Sequence, residues 1–450
     1  MNSNKRVLVL VVIASLLLFF ASVFSGFIVP IFPSFKNINI VQDIVNVQIK
    51  GNPKKSFAKP KIKKEKELDF DNYLKKDNIT AFSDVEKQTS LTKFNQKLLE
   101  LASGKKVKIR IAWFGDSVIE GDLVTQNLRE LLQKYFDKNK NSGVGFMPIK
   151  SVSSENRISA KISVKGVFET DNFKNSKSGL FFSGYSYKTS NLEVFFKDNL
   201  LKSKTQKLQK WLLYGKGDSI TISIDSIVKN YAATKNFNRI LLDNSVNSKI
   251  NFAVKSKNAT LFGISSEPEF GLILDNYSFR GITGVELKRI DNLLLNDLDS
   301  EKYYDLVVFQ YGVNLLFRPN DKNYDYYYKI MNPVLKKFKE NMKNSDYLLI
   351  SCSDRAFKYS GEWKTAVGID SLLKTQAKLA FDNKIAFFNM YQSMGGNGSI
   401  IKWTDTIPRL ANKDYIHFNH NGAKVIAKIL FDAFVKDYEK LLKKKPKITN

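Results

Sequence analysis

The apolar positions of this chain fall into three rhythms. Residues 7–32, "VLVLVVIASLLLFFASVFSGFIVPIF", form one run without a charge. A run of this length predicts a helix able to cross the hydrocarbon core, which takes about 20 residues. From residue 91 onward, short apolar runs alternate with stretches of helical period. "KVKIRIAWF", "DLVVFQYG", "DYLLISCSD" and "KIAFFNM" read as strands buried on both faces. "TKFNQKLLELASG" reads as a helix ended by Gly104, and "LVTQNLRELLQKYF" as an amphipathic one. "YDYYYKIMNPVLKKFKENM", "DSLLKTQAKLAFDN" and "NGAKVIAKILFDAFVKDYEKLLKK" are three further helical stretches. Strands spaced by helices predict a parallel, doubly wound α/β sheet.

Between residues 151 and 270 the period shortens to two. "NLEVFFKDN", "DSITISIDSI", "NRILLD", "KINFAVKS" and "ATLFGISS" alternate in polarity and are separated by Asn, Ser, Gly and Lys clusters. This pattern predicts an antiparallel β-sandwich or jelly roll. The predicted organisation is a membrane anchor or signal at 1–32 and a lysine-rich tether at 33–90, with a short helix near "FDNYLKK". An α/β domain follows, split into 91–150 and 271–450 by a β-rich insertion at 151–270. There is no internal repeat.

Charge and composition narrow the setting. The chain is 43% hydrophobic and 26% charged, enough for a folded core, and carries a formal net charge of +27. Such an excess fits nucleic acid, an anionic membrane surface or an acidic polymer. Eight lysines lie between Lys50 and Lys66 against one acid, Glu65, and more cluster in "KLLKKKPKITN" at the other end. These are tails and tethers, not a basic stripe on a folded face. Lys5 and Arg6 precede the apolar run and favour an N-in, C-out orientation. "VFS" before Gly26 offers a signal-cleavage alternative, but the run is longer than a usual signal core. Both routes take the remaining chain out of the cytoplasm, to the cell envelope or periplasm, and disfavour nucleic acid as a partner. Cys352 is the one cysteine, so an internal disulfide is excluded and a buried thiol is expected. One cysteine and two histidines disfavour a zinc site, and no metal or cofactor is expected.

In open α/β sheets, sites gather at the carboxyl ends of the strands. After the first strand comes Gly115-Asp116-Ser117, and after "DLVVFQ" comes Tyr311-Gly312-Val313-Asn314. Before the last helix lies "KDYIHFNHNGAKVIA", with Asp414 and His417. Serine is a weak nucleophile without a base in reach, and histidine is the natural base near neutral pH. Asp414 lies three residues before His417, so one turn can bring its carboxylate to the ring. Asn314 offers an amide donor for an oxyanion. Each piece has a plainer reading: a capping serine, a turn asparagine, a surface histidine. His420, in "NHNG", reads as part of a turn and helix start.

These blocks, in this order, resemble the SGNH, or GDSL, hydrolase superfamily. The resemblance implies Ser117 as nucleophile, His417 as base and Asp414 as its partner. It implies an oxyanion hole from the Ser117 N–H, a glycine of "RGITGVELKRID" and Asn314. Of Gly281 and Gly284 in that stretch, Gly284 with its following Val-Glu is the better match. "GDSVIEGDLVTQNLRELLQKYFDKNKNSGVGFMPI" and "YQSMGGNGSIIKWTDTIPRLANKDYIHFNHNGAKVIA" look like the first and last blocks of bacterial peptidoglycan O-acetylesterases. That narrower resemblance implies a carbohydrate-binding-like insertion at 151–270 and Trp403 as substrate-binding; packing of the loop before Asp414 is the equal alternative for Trp403. Phe195, Phe196, Tyr185 and Trp211 are aromatics that could face a glycan or fill the insertion's core. The implied activity is a serine esterase removing O-acetyl groups from an envelope glycan. A glycan O-acetyltransferase on the same triad and an inactive glycan-binding or assembly factor are the alternatives.

Overall fold

The computed structural model describes residues 3–24, 74, 77–81, 90–139, 141–152, 154–175 and 180–443. It divides into two units, Met1–Leu68 and Asp69–Asn450. In the first, helix α1 (Ser3–Val23) carries exposed apolar side chains, among them Leu10 and Leu17. Among the described residues, no helix is long and apolar enough to cross a membrane. The expected transmembrane helix therefore has no support among these residues. Lys5 and Arg6 fall inside α1, whose uncharged part is residues 7–23. The rest of the apolar run, and nearly all of the tether with its expected short helix, lie outside the described residues.

The second unit starts with α2 (Thr92–Ala102), β1 (Lys108–Gly115) and α3 (Thr125–Phe136). The antiparallel strands follow: β2 (Gly145–Pro148), β3 (Ala160–Asn172), β4 (Tyr185–Asp198), β5 (Leu208–Tyr214) and β6 (Ser219–Ile224). They continue with β7 (Ile227–Ala232), β8 (Asn238–Ser245), β9 (Lys249–Ser256) and β10 (Thr260–Pro268). Then come β11 (Gly271–Ser278), α4 (Asn292–Glu301), β12 (Leu306–Gln310), α5 (Asp325–Asn341) and β13 (Asp346–Ile350). A hairpin, β14 (Ala356–Tyr359) and β15 (Glu362–Thr365), precedes α6 (Ile369–Asp382), β16 (Ala386–Phe388), α7 (Met390–Met394), α8 (Ser399–Asp405) and α9 (His420–Lys443).

The central sheet has the order β11-β1-β12-β13-β16, and every pair in it is parallel. Alternate side chains of β1 enter separate cores, as pleating requires. Ile109, Ile111 and Trp113 pack with Leu98 of α2, Leu128 of α3 and Phe434 of α9. Ala112 and Phe114 join the core of α4, α5 and α6, which runs on into the antiparallel strands. Strand β11 was not legible in advance, because Asp275 and Asn276 interrupt its apolar run. Both are buried and bonded: Asp275 Oδ2 lies 2.7 Å from Lys302 Nζ, and Asn276 Nδ2 donates to the Ile119 carbonyl at 2.9 Å.

The insertion differs from a two-sheet sandwich. Its strands form one hydrogen-bonded sheet of nine, with β2 on β10 and β3 on β4 beside the path β7-β6-β9-β4-β10-β5-β8. β4 and β10 each pair with three neighbours, which joins what would otherwise be separate layers. β2 lies upstream of residue 151, so the antiparallel sheet begins earlier than the change in polarity pattern. "DSITISIDSI" divides into β6 and the start of β7 at Asp225, whose φ is 51°. Tyr185 and Phe196 are core residues, whereas Phe195 and Trp211 are half-buried. A guanidinium, Arg239, covers the Trp211 ring at 4.1 Å.

A buried charge cluster fastens this sheet to the parallel one. Glu267 of β10 meets Arg110 of β1 at 2.9 Å and Lys302 at 3.0 Å, and Lys302 also reaches Asp275 of β11. Burial works against the Glu267 charge, but Arg110, Lys302 and Lys108 outweigh it and hold the carboxyl well below its usual range.

Candidate active site

The sheet delivers its polar loops to one edge. β1 ends at Gly115, and Ser117 is half-buried between the buried Asp116 and Val118. The turn beyond it is pinned on both sides. Asp122, at φ 65°, is held by Arg129 of α3 at 2.8 Å and by Arg157 at 3.1 Å. Glu120 pairs with Arg280 at 2.5 Å, tying the serine turn to the loop after β11.

The acid–base turn is built on a small antiparallel bridge between Ala411 and Phe418. The Asn412 N–H donates to the His417 carbonyl at 2.9 Å, and the Tyr415 N–H to Asn412 at 3.2 Å. Tyr415 takes φ 58°, a left-handed conformation costly for a side chain with a Cβ. That turn aims Asp414 and His417 at the serine. Ser117 Oγ lies 2.8 Å from His417 Nε2, and His417 Nδ1 lies 2.7 Å from Asp414 Oδ2. Asp414 Oδ1 accepts the Ile416 and His417 N–H groups, each at 3.0 Å. Burial pushes the Asp414 carboxyl upward, but the hydrogen bonds from His417 and Ile416 prevail and hold it below its usual range.

Asn314 lies beyond β12, where its side-chain amide donates to the Ile282 carbonyl at 2.9 Å and to Asp116 Oδ2 at 3.3 Å. Both amide hydrogens are therefore engaged, the second over a longer contact. Gly284, at φ 93°, fits where a Cβ would come within 2.7 Å of the Tyr311 ring. Gly281 instead faces Lys174 of the inserted segment. Gly312 packs so tightly that a Cβ would lie 2.3 Å from that of Cys352, which is a buried thiol. Trp403, expected at the substrate, is buried with its ring 5.6 Å from Phe418, and its carbonyl accepts the Leu410 and Ala411 N–H groups. It supports the acid–base turn from below. His420 is exposed at the start of α9. Among the described residues, no group of three or more His, Cys, Asp or Glu could hold a metal ion.

Asp116 has a position that its place in the motif did not disclose. It accepts the Val118 N–H at 3.0 Å as well as the Asn314 amide, and burial pushes its carboxyl up to about 7. Between about pH 4 and 7 the folded protein therefore keeps a proton that the unfolded chain has lost. Stability falls as pH rises through that window. In Asp116→Asn the fall should flatten, read as the slope of Tm against pH. The new amide would point donors at Asn314, so kcat should drop as well.

Two further residues near the site gave no sequence signal of their own. Arg355 Nη1 donates to the Val313 carbonyl at 2.8 Å, next to Asn314. Trp363 of β15 stacks on Tyr415 with centroids 3.9 Å apart. The hairpin carrying Trp363 turns at Ser360 and Gly361, both with positive φ, and the Ser-Gly pair was its one legible sign.

No protein-family model matches the sequence. No curated protein matches it either. Among solved structures, the chain is similar to a peptidoglycan O-acetylesterase, with a TM-score of 0.65, 17% identity, and 80% of this chain and 99% of that chain covered. An acetyl xylan esterase matches at a TM-score of 0.27 and 20% identity, over 36% of this chain and 80% of its own. A lipase/acylhydrolase from Enterococcus faecalis matches at 0.26 and 16%, over 36% and 74%. The last two scores are too low to carry an argument. The first shows the fold alone: the two chains share a parallel α/β sheet joined to a large antiparallel one.

Proposed function

We propose that this protein is a serine esterase that removes O-acetyl groups from a cell-envelope glycan, with peptidoglycan the polymer to test first. The observation that carries the chemistry is the hydrogen-bonded line from Ser117 Oγ through His417 to Asp414. In this reading Ser117 attacks the acetyl carbonyl while His417 Nε2 takes its proton. Asp414 fixes the tautomer and stabilises the imidazolium. The collapsing intermediate expels the sugar hydroxyl, protonated by His417, and leaves acetyl on Ser117. Water, activated by His417, then releases acetate.

The oxyanion is received by the N–H groups of Ser117 and Gly284 and by the Asn314 amide. Asn314 is free to do so by giving up its 3.3 Å contact with Asp116 and keeping the shorter one to Ile282. Asn314→Ala should therefore lower kcat by roughly 10²- to 10³-fold, the usual cost of one oxyanion donor, with little change in KM. Steady-state kinetics on an acetyl ester measure this.

The glycan assignment is supported by the shared fold with a peptidoglycan O-acetylesterase. An envelope location belongs to the same proposal and rests on Lys5, Arg6 and the uncharged run after them. The test is acetate release from O-acetylated peptidoglycan, with a free sugar hydroxyl acceptor present. Acetate in solution supports the esterase. Acetyl appearing on the acceptor makes the protein a transferase. If no acetyl ester is consumed, the reading fails.

A further inference from the structure

The segment that leaves β13 touches both reactive loops at once. Asp354, buried, accepts the Ile400 N–H at 2.9 Å and the Thr365 hydroxyl at 2.9 Å, and Thr365 accepts the Gly398 N–H at 2.7 Å. That fixes the start of α8, the helix leading to the acid–base turn. Arg355 bonds the Val313 carbonyl, one residue before the oxyanion asparagine. Ala356 donates its N–H to the Tyr415 carbonyl at 3.1 Å, inside the Asp414–His417 turn. The Ala366 N–H donates back to the Arg355 carbonyl at 2.8 Å, closing the base of the hairpin. From the hairpin, Trp363 lies against the ring of Tyr415, the residue held at φ 58°.

We propose that Arg355 and Trp363 are positioning residues that set the distance between the oxyanion loop and the acid–base turn. The hydrogen bond of Arg355 and the ring stacking of Trp363 go to neighbours of the reactive residues, Val313 and Tyr415, and each acts through that neighbour. Arg355 spans from the hairpin base to the loop of Asn314. Trp363 holds Tyr415 in a backbone conformation that the residue would otherwise leave. The two loops are about 100 residues apart in sequence, and no helix or strand joins them directly. Displacing reacting groups by about 1 Å costs on the order of 10²-fold in rate. A clip at this point therefore has leverage on kcat without touching substrate. The inference rests on the esterase reading for its substrate, but not for its readout.

The test uses the full chain and two measurements. One is kcat and KM on an acetyl ester. The other is the rate at which phenylmethanesulfonyl fluoride labels Ser117, which reports nucleophile activation whatever the natural substrate is. Trp363→Ala should lower kcat and the labelling rate by roughly tenfold to a hundredfold, with KM changed by less than about threefold. Glycine adopts positive φ without cost, so adding Tyr415→Gly to Trp363→Ala should recover most of the lost rate. Arg355→Lys keeps the charge but not the planar fork, and should recover only part of what Arg355→Met loses.

Unchanged kcat and labelling in Trp363→Ala overturn the proposal. So does a loss that tracks a lowered Tm and is not recovered by Tyr415→Gly, since that is a folding effect. A wild-type protein that is labelled at Ser117 but cleaves no acetyl ester sinks the esterase reading alone. The labelling rates of the variants then still decide the clip.

Discussion

Ser117→Ala is expected to lower kcat on acetyl esters by roughly 10⁴- to 10⁶-fold, and His417→Ala by a similar factor. The double variant should be little worse than either single one, because the two act as a unit. The hydroxyl is a nucleophile only while His417 Nε2, 2.8 Å away, can take its proton. Asp414→Asn should cost less than removing the base. It leaves the backbone bonds to Ile416 and His417 feasible while losing the carboxylate that stabilises the imidazolium. Steady-state kinetics with active sites counted by sulfonyl fluoride labelling check all three. Near-wild-type turnover in Ser117→Ala would remove the serine from the mechanism.

The second large effect lies in the join between the two sheets. Lys302→Met is expected to destabilise the second unit by roughly 3–5 kcal/mol. Lys302 is buried, with Nζ 2.7 Å from Asp275 and 3.0 Å from Glu267. Removing the ammonium leaves two buried carboxylates facing one site. The Glu267 carboxyl, now held low by its cations, would lose one of them. A depressed acid stabilises the fold above its ordinary pKa and loses that contribution as pH falls. The wild type should therefore weaken in acid, and Lys302→Met should show less of that loss. Glu267→Gln added to Lys302→Met should restore part of the stability by removing one stranded charge. Urea midpoints at two pH values measure both effects. An unaltered midpoint in Lys302→Met would mean that the cluster contributes nothing to holding the sheets together.

Much of the parallel sheet was legible because its signal is local. β1, β12, β13 and β16 are mostly apolar, and the long helices carry their buried side chains at helical spacing. β11 escaped because Asp275 and Asn276 read as loop residues, and partners distant in the chain, among them Lys302, Phe146, Thr125 and Ile119, make their burial affordable. β2 escaped for a related reason: it is four residues long and gains its strand character from β10. The N-terminal run was counted across residues 7–32, of which the structure describes only those up to residue 24.

At the site, the serine, the asparagine and the Asp-x-x-His turn could be picked out because they follow strands or precede a helix, and the ends of a parallel sheet converge. The sequence by itself determined which side chains could react, since residue type and the ends of elements are local properties. Tertiary structure decided the rest. It parked the Asn314 amide on Asp116, buried Trp403 against Phe418, and raised the Asp116 carboxyl to about 7. It also set Arg355 and Trp363 between loops to which neither is adjacent in sequence. Each of these depends on which distant groups share a desolvated space. Hydrogen-bond partnership and burial in such a space are properties of pairs, and no periodicity along one chain encodes them.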